Sequence, residues 1–180
     1  SEMALQQAAA LSGDPEVRFA ALMHDLGKGL TPEHEWPSHK GHEQAGARVI
    51  HELSKRLRVP NDFRDLAKLT SLYHTHCHRA LTLDAEALFD TLDLTDALRR
   101  HERFEQFLLA CEADARGRLG LDTKPYPQAA LLREALALVR EVDLKSALAS
   151  GQQGRELAAQ IRQLRIDALQ VLSPAASPGQ

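Results

Sequence analysis

Aromatic residues are scarce in this chain, at 4% of 180 residues with a single tryptophan. A core of stacked rings is therefore excluded, and the 43% of hydrophobic residues must fill it mainly with leucine and alanine. Cysteine is equally sparse. Cys77 and Cys111 are too few for a disulfide scaffold, and both fall on apolar faces, where free thiols are commonly buried. No apolar run approaches the roughly 18 residues of a membrane span. No signal peptide opens the chain, so a cytoplasmic location without a membrane partner is expected. The first residue is serine, as in an excised domain or a processed product. Positive charge is also in deficit. The net charge of −3 argues against a general nucleic-acid coat, although a local basic patch could still dock RNA. Strands lack their signature, since no stretch alternates with period two. Leucine and alanine are strong helix formers, so the expected fold class is all-α.

Helical spacing divides the chain into segments. Ala4 to Lys28 reads as helix with a break near Ser12-Gly13-Asp14-Pro15, and Phe19, Met23 and Leu26 form its buried stripe. A loop rich in Pro, His and Gly runs from Gly29 to Gly41. The next helix places Ala45, Val49 and Leu53 on one side, with Gly46, Ile50 and Leu57 adjoining. Val59-Pro60 stops it, and Asn61 caps a helix to about His78 with Phe63, Leu66, Thr70, His74 and Cys77 in register. Further helices are expected from about Asp84, from His101 to Leu119, and around Leu132 to Val142. A Gly-rich break, Ser150 to Gly154, precedes a last helix with Leu157, Ile161, Leu164 and Ala168 in register. Ser173 to Gln180 reads as a frayed tail. Residues 1–149 are expected to form one domain, and 150–180 a short helical extension with a disordered tail.

The consecutive pair His24-Asp25 is the most telling feature. It offers a nitrogen and an oxygen ligand from one turn, a mixture that suits a divalent ion of borderline softness. Gly27 can end the helix in a left-handed cap, and Lys28 then emerges where a cation could hold a phosphate. Register adds other inward polar groups. His42 heads the inward side of its helix, His74 lies on an apolar stripe with His76 facing away, and Asp114 continues Phe104, Phe107 and Cys111. A carboxylate on such a stripe is costly unless it is paired or bound to metal. Each has a plainer alternative. His42 could be a helix-start residue, His74 a hydrogen-bonded core histidine, and Asp114 a partner of Arg116 or Arg118. Asp96 reads as a helix-end or salt-bridge residue. His34, His39, His51 and His101 read as solvated, and only His39 could still approach the site.

His24-Asp25 with Gly27-Lys28, then Gly41-His42-Glu43 with Gly46, then His74, resembles the HD superfamily of metal-dependent phosphohydrolases. Longer strings are similar to the HD domain of bacterial CCA-adding enzymes, the tRNA nucleotidyltransferases. They are Phe19 to Pro32, Arg56 to Pro60, Asp96 to Arg99, Cys111 to Arg118 and Tyr126-Pro127-Gln128. The resemblance implies an HD helical array with metal-dependent phosphatase, 2′-nucleotidase and 2′,3′-cyclic phosphodiesterase activities, serving tRNA processing and 3′-end repair. Nickel, manganese, cobalt or magnesium would be the cofactor. Expected partners are a tRNA 3′ end or a 2′,3′-cyclic nucleotide, and the nucleotidyltransferase head, whose motifs are absent from these residues. A homo-oligomer is left open. Two departures stand out. The family takes a first histidine from the helix before the dyad, whereas Ser1 to Arg18 contains none; in the family pattern it would fall just before Ser1. Thr75 follows His74 where an acidic residue is expected.

The resulting expectation is metal-assisted phosphoester hydrolysis. His24 and Asp25, with His42, His74 or Asp114, hold the metal. Lys28 stabilises the phosphate, and Arg99 and Arg116 assist. The rival from another class is a catalytically impaired tRNA-binding module that uses Lys55, Arg56, Arg58, Arg64 and Lys68. A third reading is a nucleotidase acting on free nucleotides.

Overall fold

The computed structural model describes residues 2–172, so the expected tail from Ser173 lies outside the described residues. These are α-helices with short 3₁₀ turns between them, and no strand occurs among them. In chain order the helices are α1 (Glu2–Leu11), α2 (Pro15–Met23), α3 (His42–Leu57), α4 (Asn61–His78), α5 (Ala85–Leu94), α6 (His101–Arg116), α7 (Pro127–Glu141), α8 (Lys145–Leu148) and α9 (Gly154–Ala168). No helix among the described residues is long and apolar enough to cross a membrane.

The core is built as composition requires. Among the described residues, Phe104 and Phe107 are the aromatic rings with no exposed surface, and leucines and small alanines fill most of the rest. Alanine allows close helix approach, and α2 is packed against α1, α4 and α6 through Val17, Ala20 and Ala21. That central position carries His24, the residue that follows α2, into the interior. Helix α3 lies against α4, and α5, α7 and α9 pack on one another, with α5 and α7 also touching α4. Asp84 caps α5 through its side chain, which accepts from the Ala87 N–H at 2.8 Å.

Two local expectations need correction, in α3 and α4, and the salt-bridge reading of Asp96 is borne out. Helix α4 begins with Pro60 in the cap position and Asn61 as its first residue, and no side chain caps it. Helix α5 ends at Leu94, and Asp96 adopts a left-handed φ of 55°, which turns it out toward Arg99, Arg100 and Arg103. In α3 the buried stripe is His42, Gly46, Ala47, Ile50 and Ser54, not the Ala45–Val49–Leu53 line. Leu57 is 61% exposed. At Gly46 the reason is distance, because a Cβ there would meet Ser71 Oγ at 2.5 Å, whereas Ile50 one turn on has room to be fully buried.

Candidate metal centre

Helix α2 stops at Met23. His24 is still helical (φ −54°, ψ −35°), and Asp25 breaks away at φ −99°, ψ 11°. Gly27 does not form a left-handed cap, because it lies inside a 3₁₀ turn, Leu26–Leu30, that rests on α3. A Cβ built on Gly27 would stand 2.0 Å from the His42 carbonyl oxygen and 2.6 Å from Gly46 N. Gly46 in turn leaves no room for a Cβ, which would meet Ser71 Oγ at 2.5 Å. The two glycines let backbone touch backbone, and this contact sets His42 opposite the dyad.

Three histidines then converge in one arrangement. The Nδ1 atom of His24 lies 2.8 Å from Ala21 O, that of His42 2.8 Å from His39 O, and that of His74 2.9 Å from Thr70 O. A backbone carbonyl can only accept, so each Nδ1 carries the proton and each Nε2 presents a lone pair when neutral. This is the support that metal-binding imidazoles receive from their surroundings. The three Nε2 atoms face Asp25 and Asp114. His24 Nε2 is 3.2 Å from Asp25 Oδ2 and 3.1 Å from Asp114 Oδ1. Those of His42 and His74 are 3.6 and 3.7 Å from Asp25 Oδ1. Ligand atoms bound to one ion at about 2.1 Å stand roughly 3 Å apart, so this spacing fits a shared cation.

A further observation supports the fit. His24 Nε2, His42 Nε2 and Asp25 Oδ1 are buried without any hydrogen-bond partner. Buried polar atoms are rarely left bare, and these belong to one cluster. His42 Nε2 lies 3.6 Å from Asp25 Oδ1, and His24 Nε2 3.2 Å from the other oxygen of that carboxylate. Ligand atoms of His24, Asp25 and His74 lie within 4.8 Å of one another. His42 joins them through Asp25, and Asp114 through His24. Lys28 Nζ holds the other carboxylate oxygen, Asp25 Oδ2, at 2.6 Å, which leaves Oδ1 for an ion.

Charge within the cluster is tightly balanced. Burial opposes ionisation of His24, but the Asp114 and Asp25 carboxylates outweigh it and raise its pKa to about 9. Burial also disfavours the two carboxylates, yet His24 beside each, with Lys28 at Asp25 and His78 at Asp114, holds both below the usual range. His74 is lowered to about 4 by burial and then by the nearby His24 charge. A stability maximum near pH 6.5 in the metal-free protein is the consequence. His24 is more basic folded than unfolded. Its contribution is complete below about pH 6.5 and lost as pH rises toward 9. His74 is less basic folded than unfolded, so its contribution is complete above about pH 6.5 and lost as pH falls toward 4. Each limb is worth about 3 kcal/mol at most. Urea denaturation in chelator at pH 5, 6.5 and 9 checks this, and a curve that rises through pH 9 contradicts it.

The sequence missed His78. It stands one turn after His74, with Nε2 2.7 Å from Asp114 Oδ2 and Nδ1 2.8 Å from the Tyr126 hydroxyl. The Tyr126 hydroxyl also donates to Cys77 Sγ at 3.3 Å, so it joins the end of α4 to the loop before α7 at two points. The i, i+4 spacing from His74 was the available signal. Glu43 was the other omission. Its carboxylate reaches His42 Nδ1 at 3.5 Å and accepts from Thr75 Oγ1 at 3.5 Å, which puts an acid from α3 beside the threonine of α4. The His39 ring pairs with Thr31 and does not enter the cluster, whereas its carbonyl supports His42. His34, His51 and His101 are exposed.

Of the expected phosphate-binding arginines, neither reaches the cluster directly. Arg99 is 77% exposed and held by Asp96. It precedes α6, whose length puts it about 20 Å from Asp114 near the other end. Arg116 is bound to Glu112 at 2.8 Å and faces a cleft behind His78.

Comparison with known proteins is consistent with this geometry. The HD domain family profile matches residues 1–116. The chain is 51% identical over 176 residues to the Multifunctional CCA protein of Teredinibacter turnerae, covering 98% of this chain and 43% of that protein. The proteins of the same name from Hahella chejuensis and Methylococcus capsulatus are each 51% identical, over 94% and 98% of this chain and 40% and 42% of their own lengths. The chain thus spans about two fifths of the curated relatives it matches. No solved structure matches it.

Proposed function

This chain belongs to the HD domain family, and we propose from that premise that it is the metal-dependent phosphohydrolase module of a CCA-adding enzyme. Its substrate is a tRNA 3′ end or a 2′,3′-cyclic nucleotide, hydrolysed as a cyclic phosphodiesterase, 2′-nucleotidase or phosphatase. The supporting observation is the trio of buried atoms without hydrogen-bond partners, His24 Nε2, His42 Nε2 and Asp25 Oδ1, gathered around one carboxylate. His24, Asp25 and His74 hold the divalent ion, and His42 and Asp114 complete the set. A site with three imidazoles suits nickel, manganese or cobalt better than magnesium, which prefers oxygen ligands. The bound ion supplies a Lewis acid for the phosphoryl oxygen and lowers the pKa of water.

The remaining roles belong to the protein. Lys28, partly exposed beside Asp25, meets the negative charge of the phosphate as a point charge. The backbone carbonyls behind His24, His42 and His74 keep the three rings in one tautomer. Arg116 assists only by bracing the cleft behind His78 through Glu112 and the Lys124 carbonyl, and Arg99 has no place in the set. The expected division at residue 149 is retained, with α9 as an extension whose Arg162 pairs with Asp90 of α5. The parent protein supplies the nucleotidyltransferase head and a cytoplasmic setting. The binding-module reading has less support, since Arg64 of its basic run is occupied by Asp65 at 2.7 Å.

The test is hydrolysis of 2′,3′-cyclic AMP by the purified chain. Chelation is expected to remove the activity, and nickel, manganese or cobalt to restore it. Turnover that survives complete chelation, or no turnover with any of these metals, rejects the proposal.

A further inference from the structure

Two strings that carried the resemblance, Cys111 to Arg118 and Tyr126-Pro127-Gln128, have no part in holding the ion apart from Asp114. They meet at a cleft of about 390 Å³, a volume within the usual range for small-molecule sites. One wall is apolar, made of Leu121, Pro125 and the Tyr126 ring. The charged lining is of one sign: Arg116, Arg118 and Lys124, with no carboxylate among the lining residues. An apolar wall beside cations of one sign fits a flat, apolar-faced ligand that carries negative charge.

The cleft shares a wall with the metal centre. His78 lines it, and the same ring bridges Asp114 Oδ2 at 2.7 Å and the Tyr126 hydroxyl at 2.8 Å. The separation of centre and cleft is therefore one imidazole and two hydrogen bonds, about 7 Å. Arg116 organises the cleft floor without being free to bind. Its guanidinium is paired with Glu112 at 2.8 Å and donates to the Lys124 carbonyl at 3.2 Å, which ties the loop after α6 to the helix. Arg118 and Lys124 stand exposed on that loop, and neither has an ion pair among the described residues.

Building on the phosphohydrolase reading, we infer that this cleft is the nucleoside subsite of the metal centre. It receives the ribose and base of the nucleotide whose 2′,3′-phosphate is hydrolysed, with the base on Tyr126, Pro125 and Leu121. Arg118 and Lys124 hold the 5′ phosphate of that nucleotide. A free nucleoside 2′,3′-cyclic phosphate lacks this group, whereas every RNA end carries it. The substrate class selected is therefore the end of a polynucleotide.

The test compares adenosine 2′,3′-cyclic phosphate with its 5′-phosphorylated form at low salt. The wild-type chain is expected to show a KM about tenfold lower for the 5′-phosphorylated substrate. The double variant Arg118→Gln/Lys124→Gln should lose that preference, with its KM values for the two compounds agreeing within about twofold. Equal KM values in the wild type, or a preference that persists in the double variant, overturns the inference and leaves hydrolysis itself intact. If neither compound is hydrolysed, the phosphohydrolase reading fails, and calorimetric titration of adenosine 5′-monophosphate into the metal-free protein then judges the cleft alone. Binding that the double variant loses supports the cleft, and absence of binding overturns it.

Discussion

Asp25→Asn is expected to empty the metal centre and abolish hydrolysis while leaving the fold in place. The amide has the shape of the carboxylate but not its charge, and Asp25 contributes more to the cluster than any other residue. Its Oδ1 is the bare atom that His42 and His74 face at 3.6 and 3.7 Å, and its Oδ2 neutralises Lys28. Loss of an outer-shell partner alone commonly costs about 10–100-fold in metal affinity, so loss of this direct ligand should exceed about a hundredfold. Metal content by mass spectrometry should fall from about one equivalent to a small fraction, with metal-dependent turnover falling at least in parallel. The metal-free variant should also lose part of the alkaline limb of its stability curve, because one of the two carboxylates that raise His24 is gone. Arg99→Ala is the control. Its side chain is exposed and distant, so metal content and turnover should be unchanged. A variant at position 25 that keeps its metal and its activity would refute the assignment of the centre.

Much of that centre was legible because helical register is a local property. His74 and Asp114 each follow buried residues three and four positions earlier, His42 precedes buried Gly46 by four, and all three proved buried. His78 follows buried His74 by four residues and is half-buried. It was overlooked because the stripe was ended at Cys77, although one more turn leads to Asp114 and Tyr126. Glycine was harder. Gly27 after a dyad has the look of a helix terminator, and only the approach of α3, fifteen or more residues later in the chain, reveals that the missing side chain makes room for a backbone. Close approach likewise explains Gly46 of α3, where a Cβ would meet Ser71 Oγ at 2.5 Å. Hydrophobicity ranks residues by the water they avoid, but a close helix contact selects them by size. Arg99 shows the opposite limit. Its string matched the family, yet chain distance cannot reveal that α6 carries it to the far end from Asp114.

Gly27→Ala is expected to be the most damaging single-methyl change in the chain. The new Cβ would lie 2.0 Å from the His42 carbonyl oxygen, 2.6 Å from Gly46 N and 2.9 Å from the His42 carbonyl carbon. All three are backbone atoms, so no rotamer change can relieve the clash. Either the 3₁₀ turn lifts off α3 or α3 shifts, and both movements separate His42 from Asp25. Overpacking a rigid site commonly costs about 1–3 kcal/mol, and a clash against backbone belongs at or above the upper end. Urea denaturation of the metal-free protein should show a loss of about 3 kcal/mol or more, accompanied in the folded fraction by weaker metal binding. The paired control is Gly29→Ala in the same turn. A Cβ there meets nothing within 4 Å and its φ is not positive, so the change should be neutral or slightly stabilising. If both variants unfold at the same urea concentration as the wild type, α3 does not rest on this turn. His42 would then owe its position to the His39 carbonyl alone.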